Sequence, residues 1–233
     1  MTAPKAILFD VDGTLIDTVD LHAAAWVEAL KHFGAEVPFG DMRLQIGKGG
    51  DQLLQGLLPP NMVAEKGEEI QAFRTDLFKR DYMHKARPFP SVRELFERIR
   101  ADGQLAVLAS SASAEELDRY KDVAGIADLI DGATSADDAE RSKPFPDIFQ
   151  AALAKLDGVS AAEAIVIGDT PYDAEAARAA GLKSVGVLSG GFPADALRSA
   201  GCIAVYEGPS DLLRSYDHSP LAGKGGEHDR AAA

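Results

Sequence analysis

Short, unbroken apolar runs alternate along the chain with longer segments in which apolar residues recur at helical spacing. Unbroken apolar runs are typical of strands that are buried on both faces, and their alternation with helices predicts a parallel, doubly wound α/β sheet of Rossmann-like type. The predicted strands are 6–9, 105–109, 164–168, 184–187 and 203–206, with a further segment near 129–135. The predicted helices between them are 91–101, 113–123, 146–156, 172–180 and 193–200.

Residues 17–86 interrupt this rhythm, because their apolar positions follow helical spacing and no strand-like run separates them. The pattern predicts an all-helical domain inserted after the first strand, with the sheet domain formed by residues 1–16 and 87–215. Residues 216–233 are polar and contain several glycines without periodicity, so they are interpreted as a mobile tail.

Composition and charge exclude several classes of partner. The chain has 233 residues with 24 basic and 37 acidic side chains, a formal charge of −13 that disfavours nucleic acid and anionic membranes. Cys202 is the only cysteine, which leaves no intramolecular disulfide. Since the sequence has neither a signal-peptide pattern nor an apolar run of the ~20 residues that a membrane span needs, we expect a cytoplasmic protein with a small-molecule partner.

Two acidic residues follow the first predicted strand, in the stretch "AILFDVDGT". Residues two apart in an extended chain share a face, so Asp10 and Asp12 point the same way at the carboxyl end of the strand. Ligands of open α/β sheets bind at that edge. Taken alone, an Asp-Gly pair at a strand end is equally well explained as ordinary turn chemistry.

Polar residues follow three more of the predicted sheet segments. Ser110 and Ser111 come after 105–109, and their hydroxyls could also serve only as a helix cap. Lys143, in "RSKPFPD", precedes two prolines that stiffen its loop, whereas Asp169 and Asp173, in "GDTPYD", could simply favour a helix N-terminus. Because the four groups converge on one edge of the predicted sheet, a common site is favoured over four separate structural explanations.

These motifs resemble, in order and spacing, the four motifs of the haloacid dehalogenase superfamily of phosphatases and phosphotransferases. The resemblance covers the chain except the tail, and residues 17–86 are similar to that family's helical C1 cap, which closes over the active site. The family's dehalogenases and phosphonatases lack an acid at the position of Asp12. The resemblance therefore implies phosphate ester chemistry.

The resemblance also implies the roles of individual residues. Asp10 would attack phosphorus and become an aspartyl-phosphate, and Asp12 would act as general acid and then as general base. Mg²⁺ is implied as cofactor. The charges of the other acidic site residues, the lysine and the ion then sum to zero if Asp12 holds its proton. The implied phosphate-binding residues are Ser110, Ser111 and Lys143, and the implied metal ligands are Asp10, Asp12 through its main-chain carbonyl, Asp169 and Asp173.

Hydrolysis and phosphoryl transfer are both compatible with this pattern. The stretches "LHAAAWVEAL" and "LASSAS" resemble β-phosphoglucomutase. However, "IGKGGDQLL" has glycines where that mutase carries an arginine, and "GDTPYD" is the form of the last motif found in phosphatases. We therefore predict a phosphatase for a small soluble phosphomonoester, with the mutase as first alternative and a non-catalytic binding protein as second.

The cap offers three candidate substrate contacts, each with a structural explanation beside it. His22 lies one turn before Trp26 and could equally be a core or surface histidine. Gly47 could let the backbone approach a ligand or only form a loop, and Lys48 could contact substrate or water. The sequence leaves phosphoglycolate, sugar phosphates and nucleotides open as substrates, and monomer and homodimer open as assembly states.

Overall fold

The structure, a computed structural model, describes residues 2–222 and contains one parallel sheet of six strands. The strand order is β3-β2-β1-β4-β5-β6, so the first strand lies near the centre. The chain adds strands on one side of β1 up to β3 and then on the other side from β4 to β6. This arrangement confirms the predicted doubly wound α/β fold. The strands are β1 Ala6–Phe9, β2 Leu105–Ala109, β3 Gly132–Thr134, β4 Ala164–Gly168, β5 Lys183–Val187 and β6 Cys202–Tyr206.

Ten α-helices accompany the sheet within the described part of the chain. Their bounds are α1 Val19–His32, α2 Phe39–Arg43, α3 Gly50–Leu57, α4 Pro60–Asp81, α5 Val92–Ala101, α6 Ala114–Ala124, α7 Asp147–Ala154, α8 Pro171–Ala179, α9 Ala194–Ala200 and α10 Pro209–Arg214. Short 3₁₀ helices span Met83–Lys85, Ala127–Leu129, Ala136–Asp138, Ala161–Glu163, Leu188–Gly190, Tyr216–His218 and Pro220–Ala222.

The two faces of the sheet are covered by different helices. Successive side chains of a strand point to opposite faces, and in β1 this sends Ile7 and Phe9 into one apolar cluster with α5, α6 and α10. Ala6 and Leu8 enter a second cluster with α7 and α8. Both faces of the sheet are therefore shielded from solvent, which is why these strands are continuously apolar and do not alternate between apolar and polar residues.

The chain between β1 and β2 forms α1 to α4 and the 3₁₀ helix Met83–Lys85. These helices bury an apolar cluster of their own, which includes Trp26, Leu54 and Ile70. Leu77 and Phe78 of α4 join the cluster of the sheet instead, so α4 links the two parts. We call this helical part the cap; its limits at residues 17 and 86 stay a prediction that the separate cluster favours.

The prediction of a mobile tail from residue 216 is wrong for residues 216–222. Tyr216 is 1% exposed and Leu221 is fully buried, and both belong to the main apolar cluster. The amide of Gln104 donates to the Leu221 carbonyl at 2.9 Å, and the Tyr216 hydroxyl donates to the Gln104 carbonyl oxygen. The burial of Tyr216 and Leu221 therefore suffices to hold this mostly polar segment against the sheet domain. The remainder of the predicted tail, residues 223–233, lies outside the described residues.

None of the helices found in residues 2–222 is long and apolar enough to cross a lipid bilayer.

Candidate active site

The predicted site residues meet at the carboxyl ends of the central strands. Asp10 and Asp12 follow β1, Ser110 follows β2 and Asp169 follows β4. Phe9, the last residue of β1, pairs with Leu108 on one side and Ile167 on the other, so these strand ends lie level. The sheet order, with β1 between β2 and β4, thus brings three separate sequence segments to one point.

Three buried carboxylates form the floor of the site. Asp10, Asp169 and Asp173 each offer an oxygen, and these oxygens lie within 4.8 Å of one another. The Thr14 hydroxyl lies 3.1 Å from Asp10 Oδ2 and 2.9 Å from Asp169 Oδ1, and donates to one of them at a time. Asp169 Oδ2 is buried and has no hydrogen-bond partner among the described residues.

Gly13 leaves room for this acidic cluster. Its φ is +83°, a conformation that strains any other residue, and a Cβ there would lie 2.4 Å from Asp169 Oδ2. The glycine of the "DVDGT" motif therefore both turns the chain after β1 and permits the close approach of Asp169.

Lys143 is fully buried and supplies a positive charge to the cluster. Its ammonium donates to Asp10 and, at 2.8 Å, to Asp173 Oδ1. Asp173 Oδ2 accepts in turn from the backbone N–H and the hydroxyl of Thr170, at 3.1 and 2.6 Å, in the capping box that begins α8. Burial lowers the pKa of Lys143, but the two carboxylates outweigh burial and the net shift is upward, so the lysine is charged.

The acids of the floor are hard to ionise together. Burial raises the pKa of Asp10 to about 7, against the opposing effect of Lys143. Burial, followed by the charges of Asp10 and Asp173, raises the pKa of Asp169 well above its usual value. One lysine is thus too little positive charge for three buried carboxylates.

Asp12 has a different environment from Asp10. Its Oδ1 accepts from the Thr18 hydroxyl at 2.6 Å and lies 2.8 Å from His22 Nε2. Burial opposes its ionisation, but the electrostatic attraction by His22 and hydrogen bonds from His22, Thr18 and Tyr120 lower its pKa to about 2. The contacts within the protein thus favour the carboxylate form of Asp12. The charge balance that places a proton on Asp12 also counts a Mg²⁺ ion, and it stays a prediction.

His22 is buried at the junction of cap and sheet. Its ring stacks on Phe78 at a centroid distance of 4.0 Å, and its Nε2 also lies 3.1 Å from the Tyr120 hydroxyl. Arg74 donates to Nδ1, and because a guanidinium only donates, Nε2 is the ring atom that carries a hydrogen toward Asp12. The histidine is therefore both a packed core residue and a direct neighbour of Asp12.

A cavity of about 70 Å³ opens over these groups between sheet and cap. Asp10, Asp12 and Ser111 line it from the sheet side. Ser110 is fully buried, and its hydroxyl oxygen accepts from the Ala112 N–H at 3.0 Å. Asp169, Asp173 and Lys143 lie behind Asp10, and the cap side of the cavity includes His22, Gly47 and Lys48.

The three cap candidates thus all reach the cavity wall, in different ways. Gly47 has a φ of +108°, and a Cβ there would lie 2.6 Å from Thr170. The Lys48 ammonium donates to Gln45 at 2.6 Å and lies 4.6 Å from the centroid of the Tyr172 ring. Partial burial lowers the pKa of Lys48. Both residues therefore have structural partners beside any contact with a ligand.

Several site residues were missed in the sequence. Thr14 is the last residue of the "DVDGT" motif, four positions after Asp10, and Thr18 lies six positions after Asp12. This spacing could have indicated them. Arg74 and Glu116 lie 42 positions apart in α4 and α6, and only the packing of cap on sheet brings them to one cavity. Tyr120 was predicted within a helix, and the residues alone did not indicate its contact with His22.

The fold and this site define a class of proteins with a doubly wound parallel sheet and a cluster of carboxylates at its carboxyl edge. The comparison of sequences identifies the family. Residues 7–187 match the model of the haloacid dehalogenase-like hydrolases, so the chain belongs to that family. The match spans all four motifs.

Two curated relatives illustrate the range of the family. The chain is 32% identical over 183 residues to a phosphoglycolate phosphatase of Nitrosospira multiformis, an alignment that covers 76% of this chain and 80% of the relative. It is 35% identical over 190 residues to the chloroplastic protein SUPPRESSOR OF QUENCHING 1 of Arabidopsis thaliana. That alignment covers 78% of this chain but only 18% of the plant protein.

Solved structures agree with the fold. A hydrolase of Pseudomonas syringae superposes with a TM-score of 0.86 at 31% identity, covering 92% of this chain and 99% of that one. A provisionally assigned β-phosphoglucomutase of Bacteroides vulgatus superposes with a TM-score of 0.81 at 25% identity, covering 95% and 90%. Family membership and fold are therefore established together.

Proposed function

We propose that this protein is a Mg²⁺-dependent phosphatase that hydrolyses a small phosphomonoester through an aspartyl-phosphate on Asp10. The observation that carries the proposal is the pairing of Asp10 and Asp12 on one cavity wall. Asp10 rests on Lys143 and the acidic cluster, whereas Asp12 contacts His22 and Thr18. The two acids therefore have separate environments, as a nucleophile and an acid–base group need. The phosphatase among the relatives supports the same chemistry.

The acidic cluster fits a magnesium ion. Three buried carboxylates converge within 4.8 Å, and Asp169 Oδ2 has no hydrogen-bond partner within residues 2–222. Hard oxygen ligands of this kind suit Mg²⁺. Asp10, Asp169 and the main-chain carbonyl of Asp12 would hold the ion, with Asp173 as a ligand through water or as an orienting group. When bound, the ion would neutralise charge on the phosphoryl oxygens and keep the carboxylates ionised.

Asp10 is the proposed nucleophile. One carboxylate oxygen forms a bond to phosphorus while the bond from phosphorus to the leaving oxygen breaks, which gives the aspartyl-phosphate and a free alcohol. Water then attacks the same phosphorus, inorganic phosphate leaves, and the Asp10 carboxylate is restored. Lys143 keeps Asp10 oriented and neutralises part of its charge.

Asp12 is the proposed acid–base residue. Asp12 takes up a proton before the first step and passes it to the leaving oxygen. In the second step its carboxylate takes a proton from the attacking water, which restores the protonated form for the next turnover. The environment in this structure favours the carboxylate, which is the form that the second step requires. Thr18 and His22 hold that carboxylate toward the cavity.

Ser110, Ser111 and Lys143 are the proposed phosphate-binding residues. Ser111 lines the cavity beside Asp10 and Asp12. Ser110 and Lys143 are fully buried behind this wall, and their hydroxyl and ammonium would serve the oxygens of a phosphoryl group held at Asp10. The leaving group would lie toward the cap, near His22, Gly47 and Lys48.

A sugar phosphate mutase is the alternative favoured by one structural neighbour. A mutase must bind a second phosphate at the cap. Lys48 is a basic residue on that wall, but its ammonium already donates to Gln45 and lies against the Tyr172 ring. This arrangement gives the hydrolase more support than the mutase. A non-catalytic binding protein would not require the competent acids that fill every motif.

The decisive experiment measures phosphate release from a panel of small phosphomonoesters, with Mg²⁺ and with a chelator. We expect metal-dependent turnover that Asp10→Asn lowers by at least about 10³-fold, because the variant has no nucleophile. Asp17→Asn, the same change at an exposed position seven residues on, is the matched control and should retain full activity. Turnover unchanged in Asp10→Asn would contradict the mechanism.

A second assay separates the alternatives. If a sugar monophosphate isomerises in the presence of its bisphosphate faster than it loses phosphate, the protein is a mutase. If neither reaction occurs with metal present, the non-catalytic binding protein becomes the leading alternative. Cytoplasmic location and a monomeric or homodimeric state complete the proposal, and fractionation and light scattering would test them.

A further inference from the structure

Glu116 is a buried acid of α6 that faces the cavity from the sheet side. It is 3% exposed and lines the same cavity as Asp10. Its Oε2 accepts from the N–H and the hydroxyl of Ser113, at 3.0 and 3.1 Å, in the capping box that begins α6. Its Oε1 is buried and accepts no hydrogen bond from any residue that the structure describes. The capping box of α6 uses one oxygen of Glu116, and the other oxygen is left for a ligand.

Arg74 of α4 faces Glu116 from the cap. Its Nη1 lies 3.9 Å from Glu116 Oε1, too far for a hydrogen bond, and its Nε is buried without a partner in the described chain. The guanidinium carbon lies 5.2 Å from the centroid of the Trp26 ring and 5.0 Å from that of Phe78. These rings fix the plane of the guanidinium. Two oppositely charged side chains that line the cavity thus lie close together, and each keeps a buried atom without a hydrogen-bond partner in the described chain.

We infer that Glu116 and Arg74 select a polyhydroxylated, uncharged leaving group, so that the substrate is a monosaccharide or polyol phosphate. A hydroxyl group both donates and accepts, so it can donate to Glu116 Oε1 while it accepts from the guanidinium of Arg74, whose Nη1 lies 3.9 Å from that oxygen. A buried polar atom without a partner is costly, so binding such a group is favoured. The inference rests on the proposed phosphatase function and names the substrate class of that site.

Charged leaving groups fit this pair less well. A carboxylate would satisfy Arg74 but would meet the carboxylate of Glu116, and an ammonium would satisfy Glu116 but would meet Arg74. The cavity volume of about 70 Å³ corresponds to on the order of five water molecules. This volume favours the smaller members of this class, such as a short polyol, over a nucleoside. The selection therefore runs against phosphoglycolate, the substrate in the name of one relative.

The test compares kcat/KM, with Mg²⁺, for esters that differ in the hydroxyl or carboxylate groups of the leaving group. Glycerol 3-phosphate is compared with propyl phosphate and 2-phosphoglycolate, and a hexose phosphate is compared with a deoxy analogue. An aryl phosphate reports the chemical steps without a hydroxylated leaving group. We expect kcat/KM of the polyol or sugar ester to exceed that of its deoxygenated analogue and that of phosphoglycolate by at least about tenfold.

The variant Glu116→Gln tests the residue itself. Glutamine also completes a capping box, so the fold is retained, and a thermal melt checks this. We expect kcat/KM for the hydroxylated esters to fall by about 10- to 100-fold, while turnover of the aryl phosphate changes by less than about twofold. Asp118→Asn, the same loss of charge at an exposed position of α6, is the matched control and should leave both values unchanged.

Two outcomes overturn the inference and leave the proposed function intact. The first is an enzyme that hydrolyses the aryl phosphate but prefers phosphoglycolate, or ignores the hydroxyl groups. The second is a Glu116→Gln enzyme that slows on every ester equally, since that residue would then have no part in selection. If no ester is hydrolysed with Mg²⁺ present, the proposed function and the inference fall together.

Discussion

At the scale of single residues, the acidic cluster makes an unfavourable electrostatic contribution to the free energy of folding. Thr14, Lys143 and Thr170 donate hydrogen bonds to the cluster, yet Asp169 Oδ2 has no partner among residues 2–222. Burial raises the pKa values of Asp10 and Asp169, so the protein without metal holds protons there that an unfolded chain would release. A cation is the group that would remove this cost.

The raised pKa of Asp10 predicts how stability depends on pH. Because the folded pKa of about 7 lies above the unfolded value of 3.8, this contribution to stability is complete below about pH 4 and is lost as the pH rises through 7. We expect the metal-free protein to melt several degrees lower at pH 8 than at pH 5.5, and Mg²⁺ to stabilise it more at pH 8.

Thermal melts of wild type, Asp10→Asn and Asp17→Asn at both pH values check this. Asp10→Asn should reduce the difference between the two pH values, because its amide does not titrate, and Asp17→Asn should retain it. The same pH difference in all three proteins would show that Asp10 does not carry it.

At the scale of elements, the cap meets the sheet domain through a few polar contacts beside the cavity. The Tyr172 hydroxyl of α8 donates to the Leu44 carbonyl of the cap at 2.8 Å, and Lys48 lies over the same ring. Across the cavity, His22 of α1 contacts both Asp12 and Tyr120. Because helices and loops that pack over a site can also separate from it, these contacts set how firmly the cap is closed.

Removing one of these contacts should loosen the cap without unfolding the sheet. In Tyr172→Phe the hydrogen bond to Leu44 is lost while the ring stays, so we expect KM to rise by about 2- to 10-fold, from the ~0.5–1.5 kcal/mol of one hydrogen bond. Amide exchange of α2 and α3 should also become faster.

The matched control is Tyr82→Phe, which removes a tyrosine hydrogen bond to Glu28 within the cap. It should leave KM unchanged. Equal effects of the two variants would mean that the Tyr172 bond contributes nothing particular to closure.

At the scale of the whole molecule, the last described residues complete the main core. Leu221 is fully buried, and Gln104 ties it to the segment before β1 by donating to the Leu221 and Pro4 carbonyls at 2.9 and 2.8 Å. This end of the chain therefore contributes to the stability of the sheet domain rather than to the site.

We expect Leu221→Ala to lower the free energy of unfolding by about 2–5 kcal/mol, the usual cost of a cavity left by a buried leucine. Ile203→Ala is the control, because Ile203 is 41% exposed and should cost less than about 1 kcal/mol. Denaturant unfolding of the two variants checks both values. A loss for Leu221→Ala as small as that for Ile203→Ala would contradict the packing described.

The sequence by itself determined the sheet and the motif positions, because their signals are local. An unbroken apolar run such as that of β1 is readable without knowing its neighbours, and the short spacing from Asp10 to Asp12 fixes that both share a face. The order of the motifs then sufficed to predict that Asp10, Lys143 and Asp169 belong to one site, and the structure brings these three together.

Only the tertiary structure decided how the cap meets the sheet. Arg74 and Glu116 belong to helices that look ordinary in the sequence, and only the packing of the cap on the sheet domain brings the two side chains within 3.9 Å of each other. The ionisation of Asp12 depends likewise on His22, ten residues away and on another element. The burial of Tyr216 and Leu221 was hidden by polar neighbours. Long-range packing and burial leave no local pattern, and these are the interactions that set charge states and bring Arg74 and Glu116 to one cavity.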